Sequence, residues 1–296
     1  MALLVIACGL QAAGTGGGAA AFLRAGAGAR ALSLSGAFSA SYDDASCAYW
    51  NPASAAFTGR PGISTMYSLL SDQRAYNYIA VIYPSPGGVF GLNFLNFSIG
   101  GIEGRTSDTE SYTEIKDTEN AYFLTYAYPF TRWFGAGASI KVLQITLGEY
   151  SAGGISFDAG VLLKASDIIS VGVSLRDAAG FLKWNTGYKD DIPILMRLGA
   201  NIKLFDGVLN LSLDAEKNEF EGLAVMSGAE VSLFKMFFLR AGVSYGMDSY
   251  EFDYTAGLGA RVPVSAFLIQ ADYAFQKEEY FTSFQAQHRF SLSVYF

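Results

Sequence analysis

The sequence predicts an all-β chain, a single 14-stranded antiparallel transmembrane β-barrel with an N-terminal plug segment. Three observations point there. Hydrophobic residues reach 51 % and mean hydropathy is +0.25, while charged residues are 16 %, against about 25 % in ordinary soluble domains. Past the N-terminus no run of about 18 apolar residues exists, which argues against helical spans. Instead, segments of about 10 residues alternate apolar with polar, as strands do when one face meets lipid and the other a lumen. The 33 Gly, 23 Phe and 18 Tyr suit tight strand packing and interfacial aromatic girdles.

The chain divides into a leader remnant (1–13), a plug segment (14–60) and the barrel (61–296). Residues 1–13, MALLVIACGLQAA, read as the hydrophobic part of a signal peptide with a small-residue exit. The basic n-region is absent, since the first basic residue is Arg24. Cys8 loosely matches a lipoprotein box and is read as a cysteine within the apolar run. Cleavage would leave Cys47 without a disulfide partner.

Residues 22–57 are rich in Gly, Ala and Ser and lack the later alternation. Asp43 or Asp44 can cap a short turn beginning at Ala45. Asn51-Pro52 starts another, with Asn as N-cap and Pro at the first helical position, where its missing N–H costs nothing. Such a segment needs apolar surface supplied from elsewhere, and the barrel interior would provide it.

The matching residues Gly28, Ala29, Arg30, Gly36, Ala37, Phe38, Asp43, Asp44, Ala45, Tyr49, Trp50, Asn51, Pro52 and Ala53 carry a resemblance. The segment resembles the N-terminal region of the FadL-like outer-membrane proteins, closest to the branch containing PorV, PorQ and the spirochaete UPF0164 proteins. The chain has Ser35 where members often have Gly, and Ser54 likewise. The resemblance implies a plugged 14-stranded barrel in the bacterial outer membrane. It also implies passage of hydrophobic small molecules of the long-chain fatty-acid type, gated by the plug. The alternative it implies is an accessory component of a type IX secretion machinery, like PorV, with a protein partner and no solute transport.

Fourteen strand-like segments follow, at 62–70, 75–84, 88–97, 120–130, 133–146, 154–164, 168–176, 193–205, 208–216, 223–233, 237–246, 254–262, 266–276 and 285–296. Leu209, Leu211, Leu213 and Ala215 alternating with Asn210, Ser212, Asp214 and Glu216 show the pattern most clearly. The connections alternate tight with longer and more polar, apart from the short first hairpin at 71–74. Outer-membrane barrels pair short periplasmic turns with longer outside loops. An even strand number puts the plug and the C-terminus on the periplasmic side. In the last strand Phe290, Leu292, Val294 and Phe296 share one face and Ser291, Ser293 and Tyr295 the other. Alternating hydrophobics ending in an aromatic resemble the signal read by the barrel-assembly machinery. An apolar edge there needs a partner, and the strand near 62–70 can supply it.

Parity places Lys141, Asp158, Lys164, Arg176, Arg197, Lys203, Asp214, Glu216, Glu230, Arg240, Arg261, Asp272 and Arg289 on the lumen face. Both signs occur, so an ion-pair network joining barrel and plug is the preferred reading over a solute filter, with Asp43 and Asp44 as plug partners. Phe181, Leu182 and Trp184 fall in a predicted outside loop at 177–192. They are read either as a first contact for a hydrophobic solute or as packing onto the rim.

No catalytic residue is expected. The lone His288 lacks a nucleophile on the neighbouring strand and reads as interfacial. One His and two Cys leave no nitrogen–sulfur metal site, and no cofactor is expected. Gly26 to Ala31 match G-x-G-x-x-A, but no strand precedes and no βαβ unit follows. The acidic stretch 103–119 reads as a solvated loop. A net charge of −7 argues against nucleic acid. The expected partners are outer-membrane lipid, the assembly machinery and a hydrophobic ligand.

Overall fold

The computed structural model describes residues 18–70, 73–104, 113–218, 222–280 and 283–296. The expected leader and Cys8 lie outside the described residues. The strands are β1 (Gly62–Leu69), β2 (Arg74–Ser85), β3 (Gly88–Gly104), β4 (Thr113–Pro129), β5 (Phe134–Leu147), β6 (Tyr150–Lys164), β7 (Ile169–Trp184) and β8 (Lys189–Asp191). They continue as β9 (Leu195–Leu204), β10 (Leu209–Asn218), β11 (Gly222–Leu233), β12 (Phe237–Gly246), β13 (Phe252–Val264), β14 (Phe267–Tyr280) and β15 (Ser283–Tyr295). Each barrel strand pairs antiparallel with its sequence neighbours, β7 pairing with β9. β1 and β15 close the ring, from Gly62 opposite Tyr295 to Leu69 opposite His288. Leaving aside β8, which pairs with β7 alone, the closed barrel has fourteen strands.

Alternation sets the faces. Along β1 the burial pattern alternates strictly, with Ile63, Tyr67 and Leu69 exposed and Ser64, Met66 and Ser68 buried. On β15 Phe290, Leu292 and Phe296 point out, while Ser291, Ser293 and Tyr295 point in. An outward belt of Leu, Val, Ile and aromatic side chains around a closed ring is stable only against hydrocarbon. The chain is therefore a transmembrane barrel of the bacterial outer-membrane type. Phe205, Phe234 and Phe296 project at the end that carries the short turns and the C-terminus, where Phe267 and Phe296 meet edge to face at 5.5 Å.

The strands run past the expected boundaries on the long-loop side. The predicted loop at 98–119 is largely strand, since β3 continues to Gly104 and β4 begins at Thr113. Likewise 177–192 is no open loop. β7 continues to Trp184, and β8 lies beside its outer end, with Phe181 opposite Asp191. The ladder needs only backbone groups, so it extends through polar residues where the lipid-driven alternation has ended. Pro193, without an N–H, lies in the gap between β8 and β9.

The plug comprises two four-residue helices, α1 (Ala29–Leu32) and α2 (Cys47–Trp50), and 3-10 turns at Ala21–Arg24 and Pro52–Phe57. Leu23, Ala27, Ala29, Ala31, Leu34, Phe38, Cys47 and Tyr49 are buried within the barrel. Small residues dominate because plug backbone lies directly on the wall. A Cβ at Gly137 would meet the Pro52 carbonyl, and one at Gly172 would meet the Ser39 carbonyl.

Candidate functional site

The site is the junction of plug and lumen. Asn51 organises the last plug turn. Its Oδ1 accepts from the Ala53 N–H at 3.0 Å, and Pro52 occupies the first helical position. Its Nδ2 donates to the Ser39 carbonyl at 2.9 Å and to the Val161 carbonyl of the wall at 3.2 Å. One side chain thus caps a turn, ties two plug segments and docks on β6. Asp44 holds the preceding turn, its Oδ1 accepting from the Ser46 N–H and Oγ at 2.8 and 2.7 Å. Its contacts are within the plug, so the expected pairing of Asp44 with a lumen cation gives way to local cap chemistry. Asp43 does face cations, the plug's own Arg30 at 2.9 Å and Lys203 at 3.7 Å.

The aromatic pair of α2 fixes the start of the plug. Tyr49 Oη donates to the Leu23 carbonyl at 2.6 Å and accepts from the Gly26 N–H at 3.0 Å. Trp50 Nε1 donates to the Ala27 carbonyl at 2.9 Å. Gly36, at φ +75°, lies against the Trp50 ring, and its carbonyl accepts from Arg197 at 2.6 Å.

Charged wall residues surround this segment. Arg30 pairs with Glu230 through two bonds of 2.9 and 2.8 Å. Glu230 also binds Arg240 at 2.6 Å, and Arg240 binds Asp272 at 2.7 Å. Gln270 donates to Asp272 and accepts from Arg261, both at 2.7 Å. A second group forms around Arg197, which binds Glu216 and lies 3.5 Å from Asp214 and 4.8 Å over the Trp50 ring. Asp214 in turn accepts the Phe38 and Ser39 N–H groups at 3.1 and 3.0 Å. Lys164 and Lys203 both lie over the Tyr42 ring. Arg289 binds Gln276 and Gln287 at the outer part of β15.

A third group sits higher. Lys141 lies 2.7 Å from both Asp158 and Asp177, and Arg176 donates to the Leu23 carbonyl at 2.8 Å. Asp177 was assigned to the predicted outside loop. It is 2 % exposed, next to the equally buried Arg176. A bulge, with Asp177 and Ala179 at φ +59° and +52°, turns consecutive side chains inward. No period in the sequence carries that signal. The wall hydroxyls that dock the plug were missed for a similar reason. Ser170, Ser174 and Thr255 donate to the Ala40, Trp50 and Ser33 carbonyls, and serine is too common in lumens to stand out.

Apolar side chains extend toward the long-loop side beyond Lys141, with Glu119 opposite Ile145 among them. Leu95, Leu143, Ile145, Ala152, Leu182 and Ile192 are buried in one cluster with Phe22 and Leu23 of the plug. Leu182 is 1 % exposed, Trp184 packs against the same cluster, and Trp184 Nε1 donates to Asp190. Phe181 is half-buried beneath Lys189. His288 stacks on Tyr273, its Nδ1 2.8 Å from the tyrosine hydroxyl, on the outward face. Among the described residues no cluster of His, Cys, Asp or Glu could hold a metal.

The fold has solved counterparts. A FadL homologue of Pseudomonas aeruginosa superposes with a TM-score of 0.61 at 14 % identity, covering 90 % of this chain and 97 % of that one. The Pseudomonas putida toluene transporter TodX gives 0.64 at 13 %, covering 91 % and 97 %. The monoaromatic hydrocarbon channel CymD gives 0.64 at 10 %, covering 91 % and 96 %.

The fold is FadL-like.

No family model and no curated protein matches the sequence. The FadL-like barrel is thus shared with these channels almost end to end while few residues are. The lumen charges and plug contacts of this chain must be read on their own chemistry.

Proposed function

We propose that this FadL-like barrel is an outer-membrane channel for hydrophobic small molecules, of the long-chain fatty-acid type, gated by the N-terminal plug. The observation that carries the reading is the division of the interior. On the long-loop side Leu143, Ile145, Leu182 and Ile192 form an apolar lining, interrupted by Glu119, above the ion pairs that tie the plug to the wall. An apolar solute gains by leaving water into the upper zone and meets the plug as the barrier below. That the similar solved barrels include a toluene transporter and a monoaromatic hydrocarbon channel supports this reading.

A second reading has its own observation. The plug is tied by ion pairs and hydrogen bonds to β2, β6, β7, β9, β10, β11, β13 and β15, which suits a fixed plug in an accessory of a secretion or surface-assembly machine. One experiment separates the two. The protein is reconstituted in vesicles, and uptake of oleate and of toluene is compared with empty vesicles. Flux above the empty control supports the channel. No flux, together with a stoichiometric protein partner recovered in mild detergent, replaces it with the accessory reading.

A further inference from the structure

We propose that the outer wall at the closing seam carries a binding groove for one acyl chain of an outer-membrane lipid. A cavity of about 890 Å³ indents the barrel across β2, β1, β15, β14, β13 and β12. The pairing register explains the indentation. One row around the wall reads Ile79, Thr65, Leu292, Ala271, Ala260, Phe237. Its ends carry long side chains, whereas Thr65, Ala271 and Ala260 are short. The next row outward holds Tyr67, Phe290, Tyr273 and Leu258. Thr65 on one side of Leu292, and Ala271 and Ala260 on the other, therefore form a two-part floor, with Ile79 and Phe237 as end walls and the rings of Tyr67, Phe290 and Tyr273 along one side.

The lining states what it accepts. Thr65 Oγ1 already donates to the Leu292 carbonyl, and the Tyr273 hydroxyl is engaged with His288. The charged member of the lining, Asp272, faces the lumen and is paired with Arg240. The floor itself thus carries no charge, and the polar groups left on the outward side are at its rim, the Tyr67 hydroxyl and Asn77, whose Nδ2 donates to Asn96. Leu292 and Phe290 lie four and six positions from the terminal Phe296. At about 3.4 Å per residue and a tilt of about 40°, that is roughly 10–16 Å above the girdle, inside the apolar band of about 25 Å.

At that depth the occupant is hydrocarbon or the wall of another protein. A second copy docking this face on its twofold mate would oppose two concave surfaces and enclose a void, forfeiting dispersion contacts on both. A flexible acyl chain fills the groove without that loss. It would also span the β1–β15 pair, the contact that closes the ring.

The test uses the full chain in phosphatidylethanolamine vesicles doped with a phospholipid bearing a photoactivatable diazirine mid-chain. After irradiation the labelled peptides are mapped. Labelling at Leu292, Ala271 and Leu258 is expected to exceed that at Leu92, Leu124 and Ile140, equally lipid-facing residues of β3, β4 and β5, by about tenfold. Ala271→Phe, which fills the floor, should bring it down to the level of the rest of the belt while the barrel stays heat-modifiable on gels. Should that variant fail to fold, Ala260→Val makes the same comparison. Labelling in proportion to exposed area around the whole belt would overturn the proposal. So would a second protein chain captured at these residues in place of lipid. Neither outcome depends on whether the barrel conducts a solute.

Discussion

Arg30 of the plug and Glu230 of β11 are joined by two hydrogen bonds of 2.8 and 2.9 Å, 200 residues apart in sequence. Both are buried, and the other face of Arg30 is taken by Asp43. A two-bond guanidinium–carboxylate pair fixes orientation as well as distance. Removing Glu230 leaves Arg30 with Asp43 alone and Arg240 with Asp272 alone, at a cost below the ~3–5 kcal/mol of a fully unpaired buried charge. Glu230→Ala should therefore release the plug around α1 without unfolding the barrel. Thiol labelling of Cys47, buried in the plug, should become faster. Unchanged protection of Cys47 in a folded variant would show that the pair does not hold the plug.

Acid should loosen the same contact. Burial opposes the charge on Asp43, but Arg30 and Lys203 outweigh it and hold the carboxyl well below its usual range. The folded-state pKa is lowered, so the stabilisation is present above the unfolded value of about 3.9 and disappears as pH falls further. Protection of Cys47 should stay flat through neutral pH and drop only in strong acid, and Asp43→Asn should remove that step. A change centred near pH 6 would point to other groups.

Asn51 joins a cap to two docking bonds. Asn51→Ala should cost about 0.5–2 kcal/mol for the cap alone. Asn51→Asp retains the cap oxygen but loses the donors to the Ser39 and Val161 carbonyls. If docking matters more than capping, both variants should raise exchange of the Ala53 amide and Cys47 labelling alike. Wild-type behaviour of Asn51→Asp would assign the role to the cap.

The last two residues should separate assembly from plug docking. Phe296 is on the lipid-facing side against Phe267, whereas Tyr295 Oη accepts from the Ala45 N–H of the plug at 3.3 Å. Phe296→Asp should cut the yield of heat-modifiable barrel sharply. Tyr295→Phe should leave yield intact and cost about 1 kcal/mol of plug contact. Equal yields for the two variants would remove any special role for the terminal aromatic.

The sequence by itself determined the barrel, its strand number and which faces meet lipid. The cause is elementary: a strand between hydrocarbon and a polar interior must alternate with period two, and Leu209 to Glu216 could do little else. The Asn51-Pro52 turn was legible because capping is local chemistry, decided within three residues. Pairing partners were not. Arg30 meets Glu230, not one of the other anions of the lumen, because strand register and plug path together set which side chains come within 3 Å. Asp177 entered the interior only through two adjacent register shifts, which displace parity locally and leave no trace in the alternation on either side. The seam groove likewise exists only once three separate registers bring Thr65, Leu292, Ala271 and Ala260 into one row. Local periodicity fixed what each residue faces. Ring closure, a property of the whole chain, decided what each residue touches.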